Sequence, residues 1–312
     1  MSGVARRLVV AIGGIFASSV LVFVMLRVLP GDIATTRLGI DATPEALAQL
    51  RSEYGFDRSF VVQYVDWITD AMRGDLGTSL VSGDTIGGDI SARLDVTLPL
   101  VLFSSLLSVV LAMWVGQRAA LRRKRASGIV VTTLSQVGIA VPTFIIGVIL
   151  ITVFAVQLRM LPAGGFPTIG WRDPLQAIRS IALPVTALAA TQTAVLVRFA
   201  RSQALDFVAS DAFRTARSAG RSVDAALSTA RLLVLSPVLR VTALQLSTLI
   251  TGAVVVENVF ALPGLGSMMV QDIANRDLPK VQSTLLVVVV LVFFLRFLFD
   301  FVNDRLDPRR LT

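Results

Sequence analysis

A chain that performs covalent chemistry needs nucleophiles, acids, bases or metal ligands at workable spacings, and this one offers few. It contains no cysteine and no histidine. That removes disulfides, Cys/His zinc and iron–sulfur sites, and any Ser/His or Cys/His dyad. A magnesium site made of carboxylates alone, or a Ser/Lys nucleophile, stays formally open. Lys124 and Lys280 are the only lysines, and neither follows a glycine-rich turn. No stretch matches G-x-x-x-x-G-K-[S/T], so the loop that cradles nucleotide phosphates is missing and any ATP energy must come from another subunit. Arg27, Glu257, Arg296 and Asp300 fall near the ends of apolar runs, where snorkelling to the interface accounts for a charge. An ion-coupled carrier is expected to place an acidic residue in mid-membrane, and no run carries one there.

The elements that hold these residues are long apolar runs. Of 312 residues, 54% are hydrophobic and 16% charged, where a soluble domain carries roughly 25% charged; the mean hydropathy is +0.75. Crossing a bilayer as a helix takes about 20 predominantly apolar residues, because every backbone group must be bonded internally. Six stretches qualify: Leu8 to Leu29, Leu98 to Val115, one within Ile129 to Leu158, Ile181 to Val197, Leu235 to Val256, and Thr284 to Val302. The first is too long for a signal peptide and lacks a small-residue cleavage site, so it reads as an uncleaved anchor. The third exceeds one span and contains Pro142, so part of it is expected to be a cytoplasmic helix or a kinked entry. Thr186, Thr191, Gln192 and Thr193 dilute the fourth, as expected of a span facing protein or a watery path.

The net charge of +8 also suits a nucleic-acid binder, but most of the positive charges lie in short loops between apolar runs. The arginines at 6–7, 118–125, 198–240 and 305–310 fall on one side of a six-span chain. The acidic stretch from Asp32 to Asp95 falls on the other. Basic loops stay in the cytosol, so both termini are expected there.

Two segments outside the spans exceed simple turns. In the first, roughly 30–96, Thr43 can cap a helix with Pro44 and Glu45 in its first turn, Leu47, Leu50 and Tyr54 on one face, and Gly55 as its stop. Val61, Val65, Ile68 and Met72 form a second amphipathic stripe, ended by Gly74. These helices either cap the bundle or receive an external partner. The second segment, about 198–231, is basic and helix-prone. Gly220 separates 211–219 from 223–229, with Ser222 as N-cap and Asp224 in the first turn. It is either a solvated loop or a short helix offered end-on to another protein.

One ordered set of short motifs then stands out. Arg6-Arg7 precedes a span ending Arg27-Val28-Leu29-Pro30-Gly31-Asp32, followed by Val62-Gln63-Tyr64 and Gly74-Asp75-Leu76-Gly77-Thr78-Ser79. Val141-Pro142-Thr143-Phe144, Leu161-Pro162-Ala163-Gly164-Gly165 and Arg214-Thr215-Ala216-Arg217-Ser218-Ala219-Gly220 come next. Gly252-Ala253-Val254-Val255-Val256-Glu257 runs into Val259-Phe260-Ala261-Leu262-Pro263-Gly264-Leu265-Gly266, and Leu306-Asp307-Pro308-Arg309 closes the set. In these residues the chain resembles, over nearly its whole length, the permeases of the oligopeptide/dipeptide/nickel branch of ATP-binding-cassette importers. It is similar to the first permease of each pair.

The resemblance implies an all-α integral membrane protein of the type I importer permease fold, with six spans. Its parts would be an N-terminal span with an external helical segment (1–96), a permease domain (97–304) and a cytosolic tail (305–312). Family permeases carry a Glu-Ala-Ala-x-x-x-Gly loop that seats in the ATPase; here Arg214, Thr215 and Ala216 stand in place of Glu-Ala-Ala, and Gly220 matches the glycine. The coupling residues implied are Arg214, Thr215, Ala216, Gly220, Arg221, Ser222, Val223 and Asp224. The outer gate and binding-protein contacts implied are Glu257, Phe260, Pro263, Gly264 and Gly266, with Asp75 and Gly77. The implied partners are a second homologous permease, two ATPase subunits, an extracytoplasmic solute-binding protein and membrane lipid, with no nucleic acid. No cofactor is expected on this chain, since ATP and magnesium belong to the ATPases. The implied cargo is short peptides; nickel chelates, glutathione or another small solute are alternatives. A channel or ion-coupled carrier working alone is the rival of a different class, and an intramembrane enzyme has only scattered Ser and Asp residues in its favour.

Overall fold

The computed structural model describes residues 3–28, 43, 45, 52, 57–122, 125–229 and 231–306. The helix expected from Thr43 to Gly55 and the Pro30-Gly31-Asp32 stop lie outside these residues, apart from Thr43, Glu45 and Ser52. Lys124 and the Asp307-Pro308-Arg309 motif are outside them too. The described residues form helices α1 (Gly3–Val28), α2 (Phe60–Met72), α3 (Ile86–Leu121), α4 (Ala126–Ala140), α5 (Thr143–Leu150), α6 (Pro174–Ala209), α7 (Asp211–Ser218), α8 (Val223–Thr229), α9 (Arg231–Val259), α10 (Leu265–Ala274) and α11 (Leu278–Leu306). Within α1, α3, α6, α9 and α11 lie five segments long and apolar enough to cross a membrane. A sixth span exists only if the bent pair Gly128–Ala140 and Thr143–Gln157, inclined at 104°, is one crossing.

Pro142 causes that bend. Val141, which precedes it, is extended at φ −83° and ψ 120°, because proline disfavours the helical conformation at the preceding residue. Pro142 then opens α5 without needing an amide hydrogen. The widened turns Ile151–Gln157 follow α5 before the chain turns. At the expected second, fourth, fifth and sixth spans the helices outrun the apolar runs at both ends, since polar residues such as Asp89 and Gln176 continue them beyond the hydrocarbon zone.

The chain divides into two compact units, Met1–Val96 with Gly264–Phe293, and Thr97–Pro263 with Phe294–Thr312. In the first, α2 packs on α1 through Tyr64 and Trp67, while Val61, Val65 and Met72 of the expected apolar stripe are exposed. The Tyr64 ring meets Phe23 edge-on at 5.4 Å, and its hydroxyl bonds Ser19 Oγ at 2.8 Å. Gly74, at φ +88°, ends this region as the sequence predicts. A small core of Ile86, Ile90, Leu265 and Met268 joins the start of α3 to α10.

In the second unit α6 is the hub, packed against α4, α5 and α9. Small residues make this possible: a Cβ on Gly116 would lie 2.7 Å from that of Ala200, so α3 and α6 touch backbone to backbone. The core there joins Ala112, Leu196, Ala200, Ala204, Leu227, Val234 and Val238. Pro184 and Pro237 are accommodated inside α6 and α9.

Candidate functional site

The loop between α6 and α9 folds as a two-helix knob. Ser210 is the only residue between α6 and α7, and it belongs to both. Its hydroxyl donates to the Phe207 carbonyl at 2.6 Å and accepts from the Phe213 amide at 3.4 Å. Phe207 and Phe213 stack edge-to-face at 5.8 Å, fixing the angle between the two helices. Asp211 and Arg214 pair one turn apart on the exposed face of α7. Gly220 takes φ +82°, the left-handed conformation that ends α7. The Gly220 amide bonds the Arg217 carbonyl at 3.0 Å and the Arg221 amide bonds that of Ala216 at 3.2 Å. Ser222 Oγ accepts from the Ala225 amide at 3.2 Å, capping α8. Both features match the sequence expectation.

The knob is anchored at its base and bare at its tip. Leu227 and Ala226 are buried, Leu227 within the core that α6 and α9 share. Arg214, Thr215, Gly220, Arg221, Ser222 and Val223 are exposed and Ala216 is half-buried; the Asp224 side chain lies outside the described residues. The result is a basic projection whose exposed tip is held by its own contacts, among them the guanidinium of Arg217 donating to the Arg221 carbonyl.

At the opposite end of α9 the chain turns sharply. Phe260 is buried, and two glycines fit around it: a Cβ on Gly164 would lie 2.3 Å from the Phe260 carbonyl oxygen, and one on Gly147 would lie 3.0 Å from its ring. The Gly165 amide donates to the same carbonyl at 2.8 Å. Ala261 follows at φ +48°, a conformation costing a non-glycine residue roughly 1–2 kcal/mol. The Leu262 amide then returns to the Glu257 carbonyl at 2.8 Å, and Pro263 prevents further helix. Glu257 corrects one sequence expectation. It does not snorkel: it is fully buried, and its carboxylate accepts from the Thr97 hydroxyl at 2.6 Å.

In the first unit, Gly264 opens α10, its amide donating to Ser267 Oγ at 3.0 Å, and Gly266 is buried in the first turn. Asp75 is exposed and accepts from the Gly77 amide at 2.9 Å, holding Gly77 at φ +84°. The hairpin-like turn that follows is tied down by residues the sequence reading did not single out. Asp277 accepts from Ser79 Oγ at 2.5 Å and from the Leu80 amide at 3.3 Å. Lys280 Nζ lies 2.6 Å from Asp89 and 3.6 Å from Asp272, drawing α3, α10 and α11 together. Burial pushes the Asp272 carboxyl above its ordinary pKa, against the opposing pull of Lys280. One of only two lysines, three residues after an aspartate at the mouth of an apolar span, was the signal available for this cluster. A cleft of about 440 Å³ beside the turn is lined by Arg58, Asp66, Asp70, Asp75, Trp67 and Gln282. Among the described residues no group of acidic side chains could hold a metal ion.

Residues 97–312 match the family model described as the binding-protein-dependent transport system inner membrane component, and residues 1–100 match the model of that system's N-terminal membrane component. A Brucella suis protein named as a peptide transport system permease is 36% identical over 308 residues, 98% of each chain. A Sinorhizobium fredii protein named as a peptide ABC transporter permease is 33% identical, again over 98% of both. The glutathione transport system permease protein GsiC of Salmonella choleraesuis is 33% identical, over 98% of this chain and 97% of its own.

Proposed function

The chain belongs to the binding-protein-dependent transport system inner membrane components, the permease subunits of ATP-binding-cassette importers, and we propose that it carries short peptides. As a member it is a multi-pass protein of the bacterial inner membrane. It has no ATPase site and works with a partner permease, an ATPase and a binding protein. The finer assignments are ours: two ATPase subunits, both termini in the cytosol, and peptide cargo delivered from outside. Relatives named for peptides and for glutathione, itself a tripeptide, support the cargo class.

The observation that carries the mechanism is the knob α7–Gly220–α8, basic at its tip and rooted in the core shared by α6 and α9. ATP-driven closure of the ATPases would move such a knob as a rigid body. The attached spans would then rock between outward- and inward-open states, a two-state element biased by nucleotide. In the second unit Glu257 and Phe260, both buried, and Pro263 are assigned to shaping the outer gate; in the first, the buried Gly264 and Gly266 are given the same role, and the exposed Asp75 and Gly77 are assigned to binding-protein contacts.

The test is uptake by proteoliposomes holding the assembled complex. Gly220→Val meets no neighbour within 4 Å, so its only effect is left-handed strain of roughly 1–2 kcal/mol at the knob. Membrane levels should stay normal, while copurification of the ATPase weakens or ATP hydrolysis uncouples from uptake. Normal uptake by Gly220→Val together with a bulky charge at Ala216 or Val223 would refute the coupling role. Uptake by this chain alone under an ion gradient would refute the partnership with an ATPase.

A further inference from the structure

Helix α9 has two opposite faces. One, carrying Ala243, Leu246, Ile250, Ala253 and Val256 among others, is buried within the second unit. The other runs through Leu244, Ser247, Thr248, Thr251, Val255 and Asn258, all exposed. At 100° per residue these six lie within about 100° of one another, a single open stripe rising about 21 Å. Four of its six side chains are hydrogen-bonding and none is charged. The nearest fixed charges on the helix are Arg240, below the stripe, and Glu257, turned to the buried side.

The same chain shows what a face with nothing to hydrogen-bond looks like. The exposed residues of α1 from Leu8 to Met25 are apolar or glycine throughout, without one hydroxyl or carboxamide. Such a face suits hydrocarbon; the stripe on α9 does not. Thr251 and Asn258 partly satisfy themselves, donating to the Ser247 and Val254 carbonyls at 3.0 and 2.7 Å. Each still has acceptor capacity unused, and an unpaired polar group in hydrocarbon is costly. On α6, which packs against α9, Thr186 is exposed in the same way.

We infer that the Leu244–Asn258 stripe of α9 is a hydrated wall of the translocation path, matched to the main-chain amides of a passing peptide. Hydroxyls and carboxamides both donate and accept, as peptide groups do. A wall without fixed charge holds back neither acidic nor basic side chains. Discrimination among peptides on this stretch is therefore weak, and the path accepts a class of peptides in place of one sequence. This rests on the permease reading and adds to it which surface meets the cargo and by what chemistry.

The absence of cysteine makes the test direct. Thr248→Cys, Thr251→Cys and, as control on α11, Phe294→Cys are each placed in the full complex in proteoliposomes, and reaction with a charged, water-borne methanethiosulfonate is timed. Thiolates form only where water reaches, so Thr248→Cys and Thr251→Cys should react at least 10-fold faster than Phe294→Cys, with rates that change when the ATPase is trapped by vanadate. Rates as slow as the control at both positions would overturn the inference, whether lipid or a dry contact with the second permease covers the stripe. Copurification of the ATPase with the wild-type chain tests the permease reading separately. A complex that assembles and hydrolyses ATP but leaves both cysteines unreactive refutes this assignment alone.

Discussion

Replacing Lys280 by methionine tests whether the first unit is held by one buried cation. The lysine side chain is 11% exposed, that of Asp272 9%, and that of Asp89 34%. Methionine keeps the stem's volume and removes the charge. Asp89 can then recover water, so its lost pairing counts for little. Asp272 cannot, and its Oδ2 already lacks a hydrogen-bond partner. Breaking a buried pair by deleting one member costs about 3–5 kcal/mol because the survivor is left uncompensated. With Asp89 partly open to solvent, the low end of that range, about 3 kcal/mol, is the expected loss, roughly two powers of ten in the folding equilibrium. Thermal stability of the detergent-purified chain, followed by fluorescence-detected size exclusion, should therefore fall clearly. Adding Asp272→Asn removes the stranded charge and should restore most of the loss. A single variant as stable as wild type, or a double variant no better than the single, would refute the reasoning.

Three further outcomes follow from the geometry. Because burial raises the pKa of Asp272, the folded chain holds a proton that the unfolded chain releases, between the ordinary carboxylate value and the raised one. Stability should fall as pH rises through that window, and a pH series of melting midpoints should lose this slope in Asp272→Asn. Gly164→Ala would place a Cβ 2.3 Å from the Phe260 carbonyl, so the loop must shift and lose the Gly165 bond. About 1–3 kcal/mol of destabilisation is expected, visible as faster proteolysis between residues 158 and 167. Thr97→Val strips away the hydroxyl that donates to the buried Glu257 carboxyl, a loss of about 1–3 kcal/mol. Thr97→Ser should retain stability in the same melting assay, and equal loss in both variants would show that the methyl packing matters instead.

The spans and the knob were legible because each rests on local physics. Apolar length announces a span, Pro142 announces a kink, and Gly220 with Ser222 announces a stop and a cap, whatever surrounds them. The Lys280 cluster was not legible in the same way. Asp89, Asp272 and Lys280 lie on three separate helices, and nothing near any of them specifies the other two. Glu257 misled for a related reason: a charge one residue beyond an apolar run looks free to reach water. Thr97, 160 positions earlier, supplies its carboxyl with a hydrogen bond that nothing near Glu257 in the sequence foretells. The stripe on α9 was half visible, since Ser247, Thr248 and Thr251 dilute that span in the sequence. Which side they occupy depends on the packing of α9 against α6, and that appears only in three dimensions.

The placement of the soft points bears on how the proposed coupling could work. Helix α6 has 36 residues and is about 54 Å long, well beyond the roughly 30 Å of hydrocarbon it must cross. It therefore runs past the membrane as a continuous rod and meets α7 with only Ser210 between them. Ser210 bonds to both helices, and the Phe207–Phe213 contact braces the corner. At the other end, one residue separates α8 from α9. Gly220, left-handed at φ +82°, sits inside the knob and not at the Ser210 joint. A hinge at a joint would let the knob swivel and absorb a push from the ATPase. A turn within the knob leaves the Ser210 joint stiff, so a displacement passes to α6, which packs along α9. Since α9 carries the polar stripe, the rod that receives the push is packed against the wall it would move. Loosening this corner with Ser210→Gly, which removes both hydroxyl bonds, should therefore uncouple hydrolysis from uptake while leaving the knob's affinity for the ATPase near normal. Retained coupling would mean that motion reaches the path by another route.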